Sequence, residues 1–276
     1  MIFPNLFLKN KMREFFKKIK NRILIFLAVL GPGIITAVAD NDAAGVATYS
    51  LAGAKFGYSI LYLLIIITVL LAVTQEMGAR IAIISGKGLG DLIREKNGLK
   101  ISVFVFLLLF VVNLGTIVAN FSGFKIALQM FHLPVIPSIF IFIILSFIFV
   151  TKGNYRNIQN IFLIGLFFYF AYLIAAFKAE PDWFRALGSL VLPLDLKISR
   201  EYIFASIAVL GTTITPWGQF FVHSYYIDKK ITPDKIKYVR LETYLGAFVT
   251  DFFTFFMIVA TAAALFAHKI PLTSGE

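Results

Sequence analysis

Two carboxylates two residues apart, Asp40 and Asp42, flank Asn41 inside the apolar run AVADNDAAGVAT (37–48), and the small residues Ala43, Ala44 and Gly45 follow. Carboxylate and carbonyl oxygens are donors for hard cations. Small side chains beside them leave the backbone accessible. A second unusual run, LGTTITPWGQFF (210–221), sets Gly211, Thr212, Thr213, Thr215, Pro216 and Gly218 among apolar residues. Its hydroxyls are further oxygen donors. Pro216 also lacks an N–H, which frees a carbonyl one turn earlier, near Thr212. The chemistry within reach of both runs is the holding of a cation by oxygen.

The elements that must position these groups are membrane helices. The 276-residue chain is 59% hydrophobic and 16% aromatic, with 31 Phe and only 15% charged residues. Long apolar runs with so few charges read as transmembrane helices. Cysteine is absent, so neither a disulfide framework nor a thiolate metal site exists. His132, His223 and His268 are too scattered for a histidine cage. The net charge of +11 lies mostly in loops between apolar runs, which argues for topology rather than for nucleic acid as the partner.

The hydropathy pattern predicts seven spans, over about 22–50, 58–84, 101–130, 134–151, 158–178, 201–227 and 239–267. Residues 1–21 are a basic amphipathic segment, expected on the cytoplasmic headgroups rather than as a cleaved signal. With the N-terminus inside, the inner connections, the N-terminal arm and Arg80 hold 19 of the 26 Lys and Arg, as the positive-inside rule requires. Residues 179–200 then form an outer loop. The expected setting is the plasma membrane, with the lipid bilayer around a multi-pass monomer.

The first span is interrupted at Gly31-Pro32-Gly33 and around Asp40–Gly45, and the sixth around Gly211–Gly218. Two helices broken near their middles, five spans apart, point to a transporter of inverted repeats with its site at the midplane. Residues 22–178 would be the first repeat, and 201–276 would begin the second. Unwound carbonyls and an intramembrane carboxylate would face a cation there.

GPGIITAVADNDAAGVATYSLAGAKFGY (31–58) resembles the first helix of the NRAMP metal transporters, whose pattern runs GPG, then Asp-Pro-Gly-Asn, then an Ala-Thr pair and Phe-Gly-Tyr. LGTTITPWGQFF falls where that family carries Met-Pro-His, and TQEMGARIAIISGKGLGDLIRE (74–95) resembles its second helix and following loop. The resemblance implies an all-α membrane protein of the LeuT-like inverted-repeat fold that moves divalent metals. It also implies ten or more spans, so a chain with seven is expected to be truncated.

Counted from GPG, Asp42 falls on the family's metal-binding aspartate, and the family's Pro, Gly and Asn become Ala43, Ala44 and Gly45. Thr215 falls on the metal-binding methionine and Trp217 on the histidine. A soft thioether is thus replaced by a hard hydroxyl, and room is made for the waters that Mg²⁺ keeps. This altered site resembles the NRAMP-related magnesium transporters. The resemblance makes Asp42 the direct ligand, Thr215 a ligand directly or through water, and Ala39 and Thr212 backbone ligands. Asp40 and Asn41 would bridge through water or serve structure, and Asp40 could instead pair with a lysine. Gln75 matches a family glutamine and is expected to face the pathway. The family's third-helix acids fall on Ile117 and Asn120, and its histidine on Trp217. The expected transport is therefore of Mg²⁺, with Mn²⁺ as a second substrate, without proton coupling. The membrane potential favours entry of a divalent ion by about 4.6 kcal/mol per 100 mV.

Glu76 is expected to pair with Arg80 at helical spacing. Asp251 reads either as a vestibule acid or as an interhelical hydrogen-bond partner, and Asn113 and Asn120 as bridges between helices. The alternative within the family is a proton-coupled Mn²⁺/Fe²⁺ importer, which the missing Met and His oppose. A sodium-coupled amino-acid transporter would set two acids against a carboxylate substrate. A membrane enzyme is disfavoured because neither HExxH nor GxSxG occurs.

Overall fold

The computed structural model describes residues 39, 41–152, 164–165, 167–196 and 198–270. Asp40, the basic N-terminal segment and most of the expected fifth span lie outside them. The described residues form helices and no strand. In chain order these are α1 (Ala43–Phe56), α2 (Tyr62–Ser85), α3 (Leu89–Met130), α4 (Val135–Lys152), α5 (Phe170–Lys178), α6 (Trp183–Val191), α7 (Arg200–Thr213), α8 (Pro216–Asp228) and α9 (Ile236–Thr261). Four stretches are long and apolar enough to cross a membrane: α2, α3, α4 and 233–266 around α9.

Local chemistry sets the helix ends. Asp182 caps α6 by accepting from the Arg185 N–H at 2.9 Å, and Ser199 caps α7 by accepting from the Tyr202 N–H at 3.1 Å. α2 stops at Gly86, which adopts φ 65° and donates its N–H to the Ala82 carbonyl. The connection after α2, expected as a loop, is helical from Leu89 onward. Gly98, at φ 78°, bends it into the spanning part of α3. The glycine carries out there what no L side chain does cheaply. In the outer loop, α6 is fixed by the exposed Arg185–Asp195 pair, and the hydrogen bond that Arg185 donates to the Asp195 carboxylate holds the guanidinium above its ordinary range.

The core forms where α9 packs against α1, α2 and α5, and α1 against α7. Tyr49, Ile60, Leu61, Val209 and Ile258 are fully buried there. α8 packs on α2 and forms a second cluster around Tyr225, Tyr226 and Val239. The outward faces of α3 and α4 are Phe, Ile, Leu and Val. That arrangement suits a lipid solvent, where helices are held by close packing and hydrogen bonds rather than by hydrophobic burial.

Candidate cation site

The two interruptions expected from sequence are present as helix ends. α1 begins at Ala43, directly after Asp42, whose extended backbone (φ −69°, ψ −178°) makes it the capping residue. Its Oδ1 accepts from the Gly45 N–H at 2.8 Å. The sixth predicted span divides into α7 and α8 across Ile214 and Thr215. Thr215 caps α8, with its Oγ1 accepting from the Gly218 N–H at 3.3 Å, and Pro216 occupies the first helical position. Because Pro216 has no N–H, the Thr212 carbonyl lacks its i+4 donor. Thr212 is half-buried in the last turn of α7, and Ala39 is likewise half-buried. Each break thus joins a helix N-terminus, with its partial positive charge, to an oxygen-bearing cap.

Asp42 has a second partner. Asn120, on α3, donates from Nδ2 to Asp42 Oδ2 at 2.7 Å and accepts from the Ala44 N–H at 3.2 Å. The close approach needs Gly123 one turn further along α3, since a Cβ there would lie 2.7 Å from the Ala43 Cβ. Among the described residues, no ion pair involves Asp42.

Asn41 points the other way. It is buried, donates from Nδ2 to the Thr250 carbonyl at 3.3 Å and accepts from Thr254 Oγ1 at 3.2 Å. Its own carbonyl accepts from the Tyr169 hydroxyl at 2.9 Å. These bonds commit Asn41 to joining the first break to α9 and to Tyr169, just before α5. On the α7 side, the fully buried Tyr49 and Thr213 share a hydrogen bond of 2.7 Å. No hydrogen bond among the described residues joins Asp42 to Thr215. Thr213, one of the hydroxyls of the second interrupted run, is spent on Tyr49, and sequence reasoning missed Tyr49 because an isolated Tyr in an apolar run carries no periodic signal.

The remaining expected residues are dispersed. Trp217 is half-buried and meets Phe221 edge-on, with ring centroids 6.1 Å apart. Gly45 and Gln75 are buried. Asp251, buried on α9, shares a hydrogen bond of 2.6 Å with Thr68 Oγ1 of α2, and the two border an otherwise apolar cavity of about 460 Å³ between α2, α5, α6 and α9. Asn113 Oδ1 finds no partner among the described residues.

Glu76 pairs with Arg80, as its spacing suggests, at 3.3 Å, and also accepts from Arg240 Nε of α9 at 3.1 Å. The glutamate is the buried member, and both arginines are about half exposed. Removing the glutamate strips a bridge between α2 and α9, whereas either arginine can be lost to water. Glu76→Gln is expected to destabilise by about 1–3 kcal/mol and Arg80→Ala by under about 1 kcal/mol, read as thermal unfolding in detergent.

The described residues contain no cluster of three or more His, Asp or Glu side chains. A cation here would take one carboxylate and otherwise hydroxyl, carbonyl and water oxygens, a donor set suited to hard ions.

Comparison with known proteins bears on what such a set is for. The model of the Nramp (natural resistance-associated macrophage protein-like) family matches residues 33–274. The chain is 25% identical over 203 residues to the divalent metal cation transporter MntH of Latilactobacillus sakei, covering 72% of the chain and 44% of that protein. It is 26% identical over 221 residues to the MntH of Staphylococcus haemolyticus, covering 78% and 48%. The crystal structure of a manganese transporter variant from Eremococcus coleocola superposes with a TM-score of 0.75 at 21% identity, over 86% of this chain and 52% of that one. The chain spans about half the length of the curated relatives it matches.

Proposed function

The chain belongs to the Nramp family, and we propose from that membership and the two oxygen-lined breaks that it takes part in moving divalent metal cations across a membrane. Its fold is the all-α, LeuT-like one of the superposed transporter. The observation that carries the reading is Asp42, a carboxylate in an apolar span with hydrogen-bond donors on both oxygens and no cationic partner among the described residues. An ionised group at membrane depth is costly unless something of opposite charge meets it, and a transported cation does so.

In this reading Asp42 is the direct carboxylate ligand. Thr215 supplies its hydroxyl, and Ala39 and Thr212 supply carbonyls. Asp40 and Asn41 shape the potential and hold the break, and Gly45 keeps the turn after Asp42 open. Gln75, Trp217 and Asp251 border the route. The substrates are Mg²⁺ and Mn²⁺, because an all-oxygen octahedral site suits both. The ion moves down its gradient in the plasma membrane with the N-terminus inside, and 22–178 and 201–276 contribute to opposite repeats.

A second reading, proton-coupled import of Mn²⁺ or Fe²⁺, fits about equally well with the relatives, which are named for divalent metals and for manganese. Flux into proteoliposomes holding the intact protein and a lumenal pH dye separates the two. Mg²⁺ and Mn²⁺ uptake without acidification supports the first. Mn²⁺ uptake with acidification, and none of Mg²⁺, supports the second. Thr215→Met, which restores a thioether, is expected to shift preference toward Cd²⁺ over Mg²⁺ by about tenfold or more, measured as competition in the same assay.

A further inference from the structure

We propose that Asp251 is a proton-binding site: it is held as a neutral carboxylic acid that donates to Thr68, and loss of that proton undoes this contact between α2 and α9. The site is independent of the role of Asp42 and of the mode of metal transport.

Two close contacts require the proton. Thr68 Oγ1 lies 2.6 Å from the Leu64 carbonyl oxygen and 2.6 Å from Asp251 Oδ2. Oxygens that close repel unless a proton lies between them, and O–H···O bonds are about 2.5–3.0 Å long. Two such contacts need two protons. The hydroxyl carries one, and a carbonyl carries none. An ionised Asp251 accepts the hydroxyl proton and leaves the Leu64 contact bare. A neutral Asp251 donates to Thr68, which donates to Leu64, and both contacts are bonds. Two other threonines give the comparison. Thr254 divides one proton between Asn41 Oδ1 and the Thr250 carbonyl, and its contacts are longer, at 3.2 and 3.1 Å. Thr213 lies 2.9 Å from the Val209 carbonyl and 2.7 Å from the Tyr49 hydroxyl, which brings the second proton. At Thr68 only Asp251 can bring it.

The surroundings offer a negative charge little support. Asp251 is 5% exposed, its Oδ1 has no hydrogen-bond partner, and no ion pair among the described residues involves it. Beside it, α2 places Leu64 and Thr68, α5 places Phe177, and α6 places Trp183 and Leu187 around the apolar cavity. The charged and titratable groups of the packed elements are engaged elsewhere: Glu76 with Arg80 and Arg240, Arg185 with Asp195, Tyr169 with the Asn41 carbonyl, and Tyr49 with Thr213. On α9 itself, Glu242 lies more than two turns away and accepts from Tyr226. Lys55, Tyr62, Tyr172 and Lys178 make no bond to Asp251, whose one polar partner among the described residues is Thr68. An ionised carboxylate with a single donor at membrane depth is costly, and a neutral acid avoids most of that cost.

The contact bears on the first break. Thr250, the residue before Asp251, accepts from the Asn41 amide, and Thr254 donates to it. The proton thus secures the stretch of α9 that anchors that break. An exposed aspartate has released its proton by about pH 5, whereas the folded chain keeps this one. Above that pH the native state holds a proton that the unfolded chain has lost, so its stability falls as pH rises.

The test is infrared spectroscopy with denaturant unfolding on the intact, detergent-solubilised protein, comparing wild type, Asp251→Asn and Thr68→Val. Asp251→Asn keeps a donor for Thr68 and cannot ionise. Wild type is expected to show at neutral pH the carbonyl band of a protonated carboxylic acid that Asp251→Asn lacks. Thr68→Val, which removes the acceptor, shifts that band. From neutral toward alkaline pH, the folding equilibrium constant of wild type is expected to fall about tenfold per pH unit relative to Asp251→Asn, until Asp251 ionises. A structural hydrogen bond to an ionised carboxylate gives neither signal. Spectra of wild type and Asp251→Asn that coincide in this band, or equal pH slopes, overturn the proposal. If Asp251→Asn does not fold, an acid band that Thr68→Val leaves unshifted overturns it as well.

Discussion

Asp42→Ala is expected to abolish saturable Mn²⁺ and Mg²⁺ uptake in proteoliposomes, a loss of about 100-fold or more in initial rate at a fixed ion concentration. The variant removes the only carboxylate that the described structure places at the first break with its oxygens held for use. It also removes the cap of α1, which by itself costs about 1 kcal/mol. Asp42→Asn separates the two effects. It keeps an oxygen for the Gly45 N–H and discards the charge. If transport depends on the charge, Asp42→Asn is as inactive as Asp42→Ala, and its folding cost is confined to the lost bond from Asn120 Nδ2, which then faces the new amide. Wild-type uptake by Asp42→Asn would sink the direct-ligand assignment. No lysine, arginine or histidine among the described residues pairs with this group, so among them there is no structural ion pair for the substitution to break.

The largest effect on stability is expected at Gly53. This glycine lies on the face of α1 against α9, and a Cβ there would collide with the Ile258 carbonyl oxygen and with Thr261 Oγ1. The first of these is backbone and cannot swing aside. Thr261 Oγ1 is already bonded to the Met257 and Ile258 carbonyls, so it is not free to swing away without breaking those contacts. Gly53→Val must therefore spread α1 from α9, where Tyr49, Ala52, Ile258 and Val259 form the centre of the core. Overpacking a filled core costs about 1–3 kcal/mol even where side chains can adjust, and more where the obstacle is main chain. The variant is expected to lose most of its monodisperse peak in size-exclusion chromatography. Gly115→Ala, at a position with nothing within 4 Å, is the matched control and is expected to behave as wild type.

Much of this architecture was legible in the sequence. The spans of α2, α3, α4 and α9 follow from unbroken apolar length, which in lipid admits few alternatives to helix. The breaks at Asp42 and at Ile214–Thr215 were visible because acids, glycine and proline are conspicuous in an apolar run. The family was visible in the spacing of GPG, the downstream Phe-Gly-Tyr and the threonine-proline pair. The hydrogen-bond wiring was less legible. Asn41 reads as a site residue beside two acids, yet its amide is spent on Thr250 and Thr254, 209 and 213 residues away. Asn120 was marked as a helix bridge and as the place of a missing acid, but that its amide would grip Asp42 depends on Gly123 and on the approach of α3. The second partner of Glu76, Arg240, comes from another helix, and only the i, i+4 partner is written in local spacing. Sequence periodicity reports which face of a helix is polar. It carries no record of which distant helix will meet that face.

The bond between Tyr49 and Thr213 has a mechanical meaning. α1 and α7 are stitched near the breaks by that bond and further along by Phe56 against Tyr202, whose hydroxyl donates to the Ser59 carbonyl at 2.8 Å. Two stitches a few turns apart resist sliding and twisting alike, so the two half-helices behave as a single lever. Bending of that pair is expected where the helical ladder is already cut, at Asp42 and at Ile214–Thr215, which is also where the oxygens proposed to hold the cation lie. A change at that seam is expected to be passed to α1 and α7 together rather than to either alone.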